Sequence, residues 1–466
     1  MAGPGGPGPD GAAHHRPEPG PWPGPRLRTD ALTRERVVVR LGTVSEVEAH
    51  PAADAEAFDR LRYAGVFVLL FLFGTETFLV SPLLPTIARD IRVSEAAAAS
   101  GVTAYVLVYA VCAPFLGLLS DRVGRRATLL AGTVLFVLSN LGAALSSGLG
   151  ELVAARALAG LAAAAAGPAI WAHIAETAPE GVRGRALGLG MALFSCGQVV
   201  GVPLGSALAG LAGWRSAFLA LTVGTALAVP LLLRQVSGAP ARAAATGAEA
   251  GGAPGAVRAV LAGWRSPLLR KALLVNTVFH AANLGAYTFL GALLVQRFQL
   301  TVTELGLVGI LVGAGSVAGS LAGGRLNDRV RRAGRLGMPL LPLWGLLLAT
   351  GTALVAKGPG LPVALAGVVL WFLASGGFVT DQQTLAGTVE PELRATSSAW
   401  LTSTMYAGTG LGAWAVGAFA DVSTGTLAIG AGLALLAALG GALIARGLTV
   451  AQAQVQRQAA ESEPQV

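Results

Sequence analysis

Charged side chains are scarce in this chain. Of its 466 residues only 12% are charged and 53% are hydrophobic, whereas an ordinary soluble domain carries about 25% charged residues. The chain therefore lacks the polar surface of a water-soluble fold, and we do not expect one. Cysteine is scarce too. Cys112 and Cys196 both fall inside apolar segments, where a small core residue is expected, not a disulfide or a metal site.

Motifs for nucleotide, metal or nucleophilic chemistry are also lacking. The sequence contains no phosphate-binding loop, no cluster of metal ligands and no nucleophile beside a plausible base. We therefore expect neither an enzyme nor an ATP-driven pump, and no cofactor. The net charge of +8 does not indicate a nucleic-acid partner, because the arginines form short clusters between apolar segments, where they set membrane topology.

Apolar stretches of about 20 residues, the length of one bilayer crossing, recur along the chain. They predict an all-α membrane protein with 12 transmembrane helices in two sets of six. The first six spans are expected at 63–84, 97–119, 127–147, 151–173, 185–211 and 215–234, and the second six at 271–295, 303–323, 337–356, 361–381, 395–419 and 425–446.

The segments outside the spans complete the domain organisation. Residues 1–62 are rich in proline and glycine, which predicts a disordered tail. A linker at 235–270 separates an N-terminal six-helix bundle, 63–234, from a C-terminal one, 271–446, and a second tail follows at 447–466. If the helices simply alternate, most arginine clusters and both tails lie on one side, which predicts cytoplasmic termini in a multi-pass protein of the inner (plasma) membrane.

The two halves repeat each other. The segment GLLSDRVGRR at 117–126 recurs as GRLNDRVRR at 324–332, and Pro179-Glu180 recurs as Pro391-Glu392. Such a duplication predicts a substrate site between the halves, near the middle of the membrane.

Two charged residues inside the spans are candidates for proton coupling. Glu76 lies deep in the first span, where an ionised carboxylate costs free energy unless it is paired or hydrated. It is therefore a candidate proton carrier, and a structural carboxyl hydrogen-bonded between helices is the alternative. Arg156, in the fourth span, is expected to face a cavity and to meet a carboxylate or water. The alternative is a side chain that extends to the membrane surface.

Other polar residues in the spans are candidates to line a substrate cavity. Tyr105 and Tyr109 are four residues apart and so share one helix face. Interhelical hydrogen bonds and ordinary packing are the alternative interpretations for these side chains. The full set of cavity candidates is Tyr105, Tyr109, Gln198, His280, Asn283 and Asp381.

From Tyr63 to Arg446 the sequence resembles the major facilitator superfamily, because GLLSDRVGRR falls between the second and third spans as that family's signature does. Three further segments resemble its twelve-helix drug/proton antiporters, the branch of multidrug, chloramphenicol and sugar efflux proteins: GTETFLVSPLLPTIARDI, Arg156-Ala-Leu-Ala-Gly160 and GQVVGVPLG at 197–205. Two positions depart from the antiporter pattern, since Ala159 stands where glutamine is usual and Val202 separates Gly201 from Pro203.

The resemblance implies two pseudo-symmetric six-helix bundles, a monomer, and export of small organic molecules in exchange for protons. It implies proton transfer at Arg156, and a latch in which Asp121 faces the start of the eleventh span, where a helix N-terminus stabilises a carboxylate. A topology signal alone is the alternative. Proton-coupled uptake of a metabolite and a non-transporting membrane sensor are the other functions to weigh. The expected gating motif comprises Gly117, Asp121, Arg122, Gly124, Arg125, Asp328 and Arg329.

Overall fold

The computed structural model describes residue 3 and residues 60–179, 182–236, 264, 266–332, 340–389 and 394–462. Within these ranges the chain forms helices and no strand. The tail expected at 1–62 and the linker expected at 235–270 lie outside the described residues, apart from short stretches at their edges.

The first half of the described chain forms six helical segments. A short 3₁₀ turn, Arg60–Tyr63, precedes the first of them. The segments are α1 (Ala64–Asp90), α2 (Glu95–Val123), α3 (Arg125–Leu145), α4 (Leu149–Thr177), α5 (Arg183–Ala212) and α6 (Trp214–Gln235).

The second half of the described chain forms six more. They are α7 (Pro267–Phe298), α8 (Val302–Arg332), α9 (Leu341–Lys357), α10 (Gly360–Val389), α11 (Arg394–Gly417) and α12, which consists of Val422–Gly425, Thr426–Ala431 and Gly432–Ser462. We call α1–α6 the N-terminal half and α7–α12 the C-terminal half.

The helices suit a membrane. Among the described residues 10 helices are long and apolar enough to cross one, and α9 is apolar but shorter. Large apolar side chains are exposed on the outside, including Leu211 (86% exposed) and Trp414 (69%), as expected of a surface that faces lipid. That all 12 segments cross a bilayer, with cytoplasmic termini, stays a prediction. Helix α12 continues to Ser462, into the segment expected to be a tail.

Within the described ranges, three helices are interrupted by π-helical turns, which often occur at functional sites. They lie at Gly197–Gly201 in α5, Ala281–Gly285 in α7 and Thr426–Ala431 in α12. The turn in α5 contacts α1, where the Thr75 hydroxyl donates to the carbonyl oxygen of Gly197 at 3.2 Å. A Cβ at Gly201 would overlap the Thr75 side chain. The bulged part of α5 therefore lies directly against the helix that carries Glu76.

The loop between α2 and α3, which we call the 2–3 loop, marks one end of the molecule. The two halves contact each other from the middle of the molecule to the opposite end. Near the middle, Tyr109 of α2 contacts Tyr406 of α11, with ring centroids 4.0 Å apart. Further along, a Cβ at Gly417, the last residue of α11, would lie 3.4 Å from the Cβ of Ala96 in α2. We call this end the closed end, and the end that carries the 2–3 loop the motif end.

Candidate functional site

A buried ion pair joins two helices of the N-terminal half. Arg156 of α4 donates from Nη1 to Glu76 Oε1 of α1, and the two residues are 4% and 1% exposed. The helix α2 makes room for the arginine, because a Cβ at Gly101 would lie 3.2 Å from Arg156 Cγ. The sequence singled out each of these charges separately, and the structure brings them into direct contact.

The pair leaves polar atoms unused. Among the described residues, Glu76 Oε2 and Arg156 Nε are buried and have no hydrogen-bond partner. Such atoms are uncommon in protein interiors, because an unpaired buried polar group costs free energy. The carboxylate oxygen can accept a proton or a ligand donor, and the guanidinium can donate to a ligand.

Aromatic side chains from both halves surround the pair. The guanidinium carbon of Arg156 lies 4.7 Å from the centre of the Tyr105 ring and 5.8 Å from that of Phe218. Tyr406, from the C-terminal half, lies 6.2 Å from Tyr105 between ring centroids. The cation is therefore next to a tyrosine cluster, Tyr105, Tyr109 and Tyr406, to which each half contributes.

Close helix packing sets the position of this cluster. A Cβ at Gly160 of α4 would overlap the backbone carbonyl of Tyr105 in α2, so the two backbones approach closely at the level of the ion pair. The sequence pattern indicated Tyr105 and Tyr109 but not Tyr406. The available signal was a single tyrosine in the middle of the glycine-, serine- and threonine-rich span TSTMYAGTG.

Two other cavity candidates make hydrogen bonds inside the C-terminal half. Asn283, in the π-helical turn of α7, donates to Ser375 Oγ at 2.7 Å and accepts from Trp371 Nε1 at 2.8 Å. Asp381 of α10 accepts from Asn327 and Trp344. These contacts tie the helices of one half together.

The last two cavity candidates are buried on helices that meet the opposite half. Gln198 lies in the π-helical turn of α5 and is 8% exposed. His280 of α7 is 2% exposed, and its Nδ1 has no hydrogen-bond partner among the described residues. Its ring centroid lies 5.9 Å from that of Phe378, so its described surroundings are largely aromatic.

The 2–3 loop forms a tight connection. Gly124 has φ +101°, a conformation that glycine adopts without strain, and it joins α2 directly to α3. Arg125 Nη2 lies 3.0 Å from Glu176 Oε1 of α4, and Arg126 donates to the carbonyl oxygen of Leu233 in α6 at 3.1 Å. The loop thus ties the motif ends of α4 and α6 to the start of α3.

The other residues of the expected gating motif are less constrained or not described. A Cβ at Gly117 would meet no atom within 4 Å, and Asp328 and Arg329 are exposed on α8. The side chains of Asp121 and Arg122 lie outside the described residues, so the expected latch between Asp121 and the eleventh span stays a prediction.

At the closed end, α1 and α7 are joined by three hydrogen bonds across the two halves. The Ser81 hydroxyl donates to the carbonyl oxygen of Tyr287 at 2.7 Å and accepts from the backbone N–H of Gly291 at 3.3 Å. The Tyr287 hydroxyl donates to the carbonyl oxygen of Phe78 at 2.9 Å. The helix that carries Glu76 is therefore fixed to the opposite half at Phe78 and Ser81, two and five residues beyond Glu76.

Comparison with known proteins decides the family. The model of the Major Facilitator Superfamily matches residues 66–413. The chain belongs to the major facilitator superfamily. It is 32% identical over 298 residues to the chloramphenicol resistance protein of Streptomyces lividans, covering 64% of this chain and 73% of that one. It is 28% identical to the MFS-type transporter YceJ of Bacillus subtilis, which remains uncharacterized, covering 74% of this chain and 86% of the relative.

Solved structures of this superfamily show the same fold. A bacterial homologue of the human lysosomal transporter Spinster, in an inward-facing and unoccupied conformation, has a TM-score of 0.67 at 17% identity, covering 84% of this chain and 98% of that one. A D-xylose-proton symporter has a TM-score of 0.67 at 18% identity, covering 82% of this chain and 96% of the symporter chain. The chain is thus a multi-pass membrane protein of a transporter family, as the sequence motifs predicted.

Proposed function

We propose that this chain exports small organic molecules or drugs across the inner (plasma) membrane, as a monomer, by exchanging them for protons. The observation that carries the proposal is the Glu76–Arg156 ion pair, buried to 1% and 4% exposure. The similarity to a protein named for chloramphenicol resistance supports export as the direction.

The ion pair has the properties that proton coupling requires. An ionised Glu76 compensates the charge of Arg156, whereas a protonated Glu76 leaves a buried guanidinium that cannot lose its own proton. The two protonation states of Glu76 therefore favour different surroundings for Arg156. Proton binding can then shift the balance between two conformations of the transporter, because only a differential interaction moves such an equilibrium.

The tyrosine cluster is the proposed binding surface for the organic substrate. Tyr105 and Tyr109 come from one half and Tyr406 from the other, so a molecule bound there contacts both halves. Their rings offer an apolar surface and their hydroxyls offer hydrogen bonds, which suits drug-like molecules with aromatic and polar parts. Because Arg156 lies over Tyr105, substrate and proton act on adjoining groups.

Alternating access fits the contacts between the halves. In the proposed orientation the motif end faces the cytoplasm, so the Ser81–Tyr287 hydrogen bond closes the outer side. A substrate would enter from the cytoplasm while Glu76 is ionised. After the halves rock and the substrate leaves outside, Glu76 would take up a proton there and release it to the cytoplasm on return.

The test is proton exchange in inverted membrane vesicles that contain the full chain. The lumen is acidified, and a pH-sensitive dye follows the loss of protons when cationic, neutral and sugar-like compounds, including chloramphenicol, are added. We expect at least one compound to release protons from wild-type vesicles. Glu76→Gln should abolish the release, because the amide cannot carry the proton. Glu304→Gln, at an exposed site at the start of α8, should retain it.

Three outcomes would contradict the proposal. Transport without proton movement would exclude proton coupling, and full release by Glu76→Gln would exclude this carboxyl as the carrier. Accumulation of a compound in the same direction as the proton would identify an uptake system instead.

A further inference from the structure

A second buried carboxyl lies in the C-terminal half, away from the Glu76–Arg156 pair. Asp381 of α10 is 3% exposed. It accepts hydrogen bonds from Asn327 Nδ2 of α8 at 2.5 Å and from Trp344 Nε1 of α9 at 2.7 Å. Both donors are neutral side chains, themselves 3% and 1% exposed.

The pocket around Asp381 is built by close packing. A Cβ at Gly377, one turn before Asp381, would lie 2.6 Å from atoms of the Trp344 indole. Only glycine therefore lets the indole lie flat on α10 and direct its N–H at the carboxyl. Gly323, one turn before Asn327, also packs closely, because a Cβ there would lie 3.1 Å from Gly377 Cα.

No cation compensates this carboxyl among the described residues, where the ion pairs do not include Asp381. His280 of α7 faces the rings of Phe279 and Phe378. Five of the other charged side chains toward the motif end of the neighbouring helices are exposed, namely Arg325, Asp328 and Arg329 on α8 and Arg270 and Lys271 on α7. The side chains of Arg331 and Arg332 at the end of α8 and of Arg394, the first residue of α11, are not described.

The internal duplication shows that this site is particular to one half. The two Pro-Glu pairs are 212 residues apart and the two loop motifs 207 residues apart, which matches Asp381 with Ala169 or Ile174 and Trp344 with Gly132 or Val137. Neither match for Asp381 is a carboxyl, and α3 and α4 pack closely in this region, since a Cβ at Gly132 would lie 2.9 Å from that of Ala166. The repeat fold therefore does not need a carboxyl here, which argues against a purely structural role.

The surroundings suit the neutral form of the carboxyl. An ionised carboxylate inside a membrane protein costs free energy unless a cation or water compensates it. A protonated carboxyl needs an acceptor, and the amide oxygen of Asn327 is buried with no partner among the described residues. A 180° rotation of that amide would direct this oxygen at Asp381, and the 2.5 Å separation fits an O–H···O bond.

We propose that Asp381 is a second proton-binding site of this transporter. A proton from water binds one carboxyl oxygen and is held between that oxygen and the Asn327 amide, while Trp344 donates to the other oxygen. The proton returns to water when α8, α9 and α10 move and hydrate the site. The inference rests on the proposed proton antiport for its role in the cycle, but proton binding itself is independent of transport.

Infrared difference spectroscopy of the full chain in lipid vesicles tests proton binding directly. The pH is stepped between about 5 and 8, the range in which physiological proton switches work, and the carbonyl stretch of protonated carboxyl groups is followed in H₂O and in D₂O. We expect a titrating, deuterium-sensitive band that Asp381→Asn removes. Glu76→Gln and Asp328→Asn should leave that band in place, and Trp344→Phe should shift its frequency because one hydrogen bond is lost.

Two spectroscopic outcomes overturn the proposal. One is an unchanged band in Asp381→Asn. The other is a pH titration of the band that changes when Na⁺ in the buffer is replaced by choline, because this would indicate that the carboxyl binds a metal cation. Should Asp381→Asn fail to fold, an unshifted band in Trp344→Phe would count equally against it. In the vesicle assay the number of protons exchanged per substrate should fall by one in Asp381→Asn. The two proposals can fail separately. If Asp381→Asn loses the infrared band but the wild type shows no proton-coupled transport, the antiport is refuted and the proton-binding site is supported.

Discussion

At the scale of single residues, the two members of the buried ion pair should contribute unequally to stability. Replacing Glu76 by methionine leaves the guanidinium of Arg156 buried and uncompensated, for which we expect a loss of about 3–5 kcal/mol in the free energy of unfolding. Arg156→Met should cost less, because an isolated Glu76 can take up a proton whereas a guanidinium cannot release one. The double variant should cost less than the sum of the two.

The measurement is a denaturant titration of wild type and the three variants in one detergent, treated as a double-mutant cycle. Additive losses would show that the two charges do not interact in the folded protein. A larger loss for Arg156→Met than for Glu76→Met would show that Glu76 stays ionised without its partner.

The sequence singles out unusual charged residues, but it does not predict what they contact. Glu76 and Arg156 stand out because an ionisable group deep in an apolar span needs compensation. Their pairing could not be inferred, since 80 residues separate them and the contact depends on how α1 meets α4. Asp381 is predicted to line a cavity because it is a polar residue at the cytoplasmic end of the tenth span. Its partners, Asn327 and Trp344, lie on two other helices, and the sequence gives no sign of them.

At the scale of helices, apolar length located the helical segments but not their ends. The eighth span was expected to end at residue 323, yet α8 continues to Arg332, and α10 continues to Val389 beyond the expected 381. Hydropathy detects only the part of a helix that suits lipid, whereas the polar turns that follow extend the same helix. The π-helical turns have no comparable signal, because they depend on contacts with neighbouring helices.

The contact between α8 and α10 leads to a prediction for two glycines of one helix. A Cβ at Gly319 would overlap the backbone carbonyl of Leu373, whereas one at Gly324 would meet no atom within 4 Å. Gly319→Ala should therefore lower the free energy of unfolding by about 1–3 kcal/mol through overpacking. Gly324→Ala should leave it unchanged or raise it by up to about 1 kcal/mol through helix propensity. Equal effects in the same denaturant titration would contradict the close packing of α8 on α10.

At the scale of the whole molecule, a duplicated fold carries different chemistry in its two halves. The N-terminal half holds a carboxyl with a cation beside the tyrosine cluster, whereas the described partners of the buried carboxyl in the C-terminal half are the neutral side chains of Asn327 and Trp344. The sequence showed the duplication through its loop motifs, but the shared tyrosine cluster and the closure between Ser81 and Tyr287 arise only when the halves pack together. Transport by alternating access requires this closure to open.

A reversible disulfide across the closed end should therefore stop transport. The Cβ atoms at positions 96 and 417 would lie 3.4 Å apart, close to the roughly 3.5–4.5 Å that a disulfide spans. In a background with Cys112 and Cys196 replaced by alanine, Ala96→Cys with Gly417→Cys should cross-link under mild oxidation, seen as a mobility shift after cleavage of the linker between the halves. Proton-coupled transport should cease and return on reduction.

The control pair combines Ala96→Cys with Gly410→Cys. Gly410 packs on Leu107, 11 residues along α2 from Ala96, which corresponds to about 16 Å of helix, so this pair should not cross-link, and its transport should be the same under oxidation and under reduction. Failure of the first pair to cross-link would mean that the closed end does not form in the membrane. A cross-linked protein that still transports would mean that the substrate passes without separation of α2 and α11 at this end, and the rocking motion of the two halves would have to be abandoned.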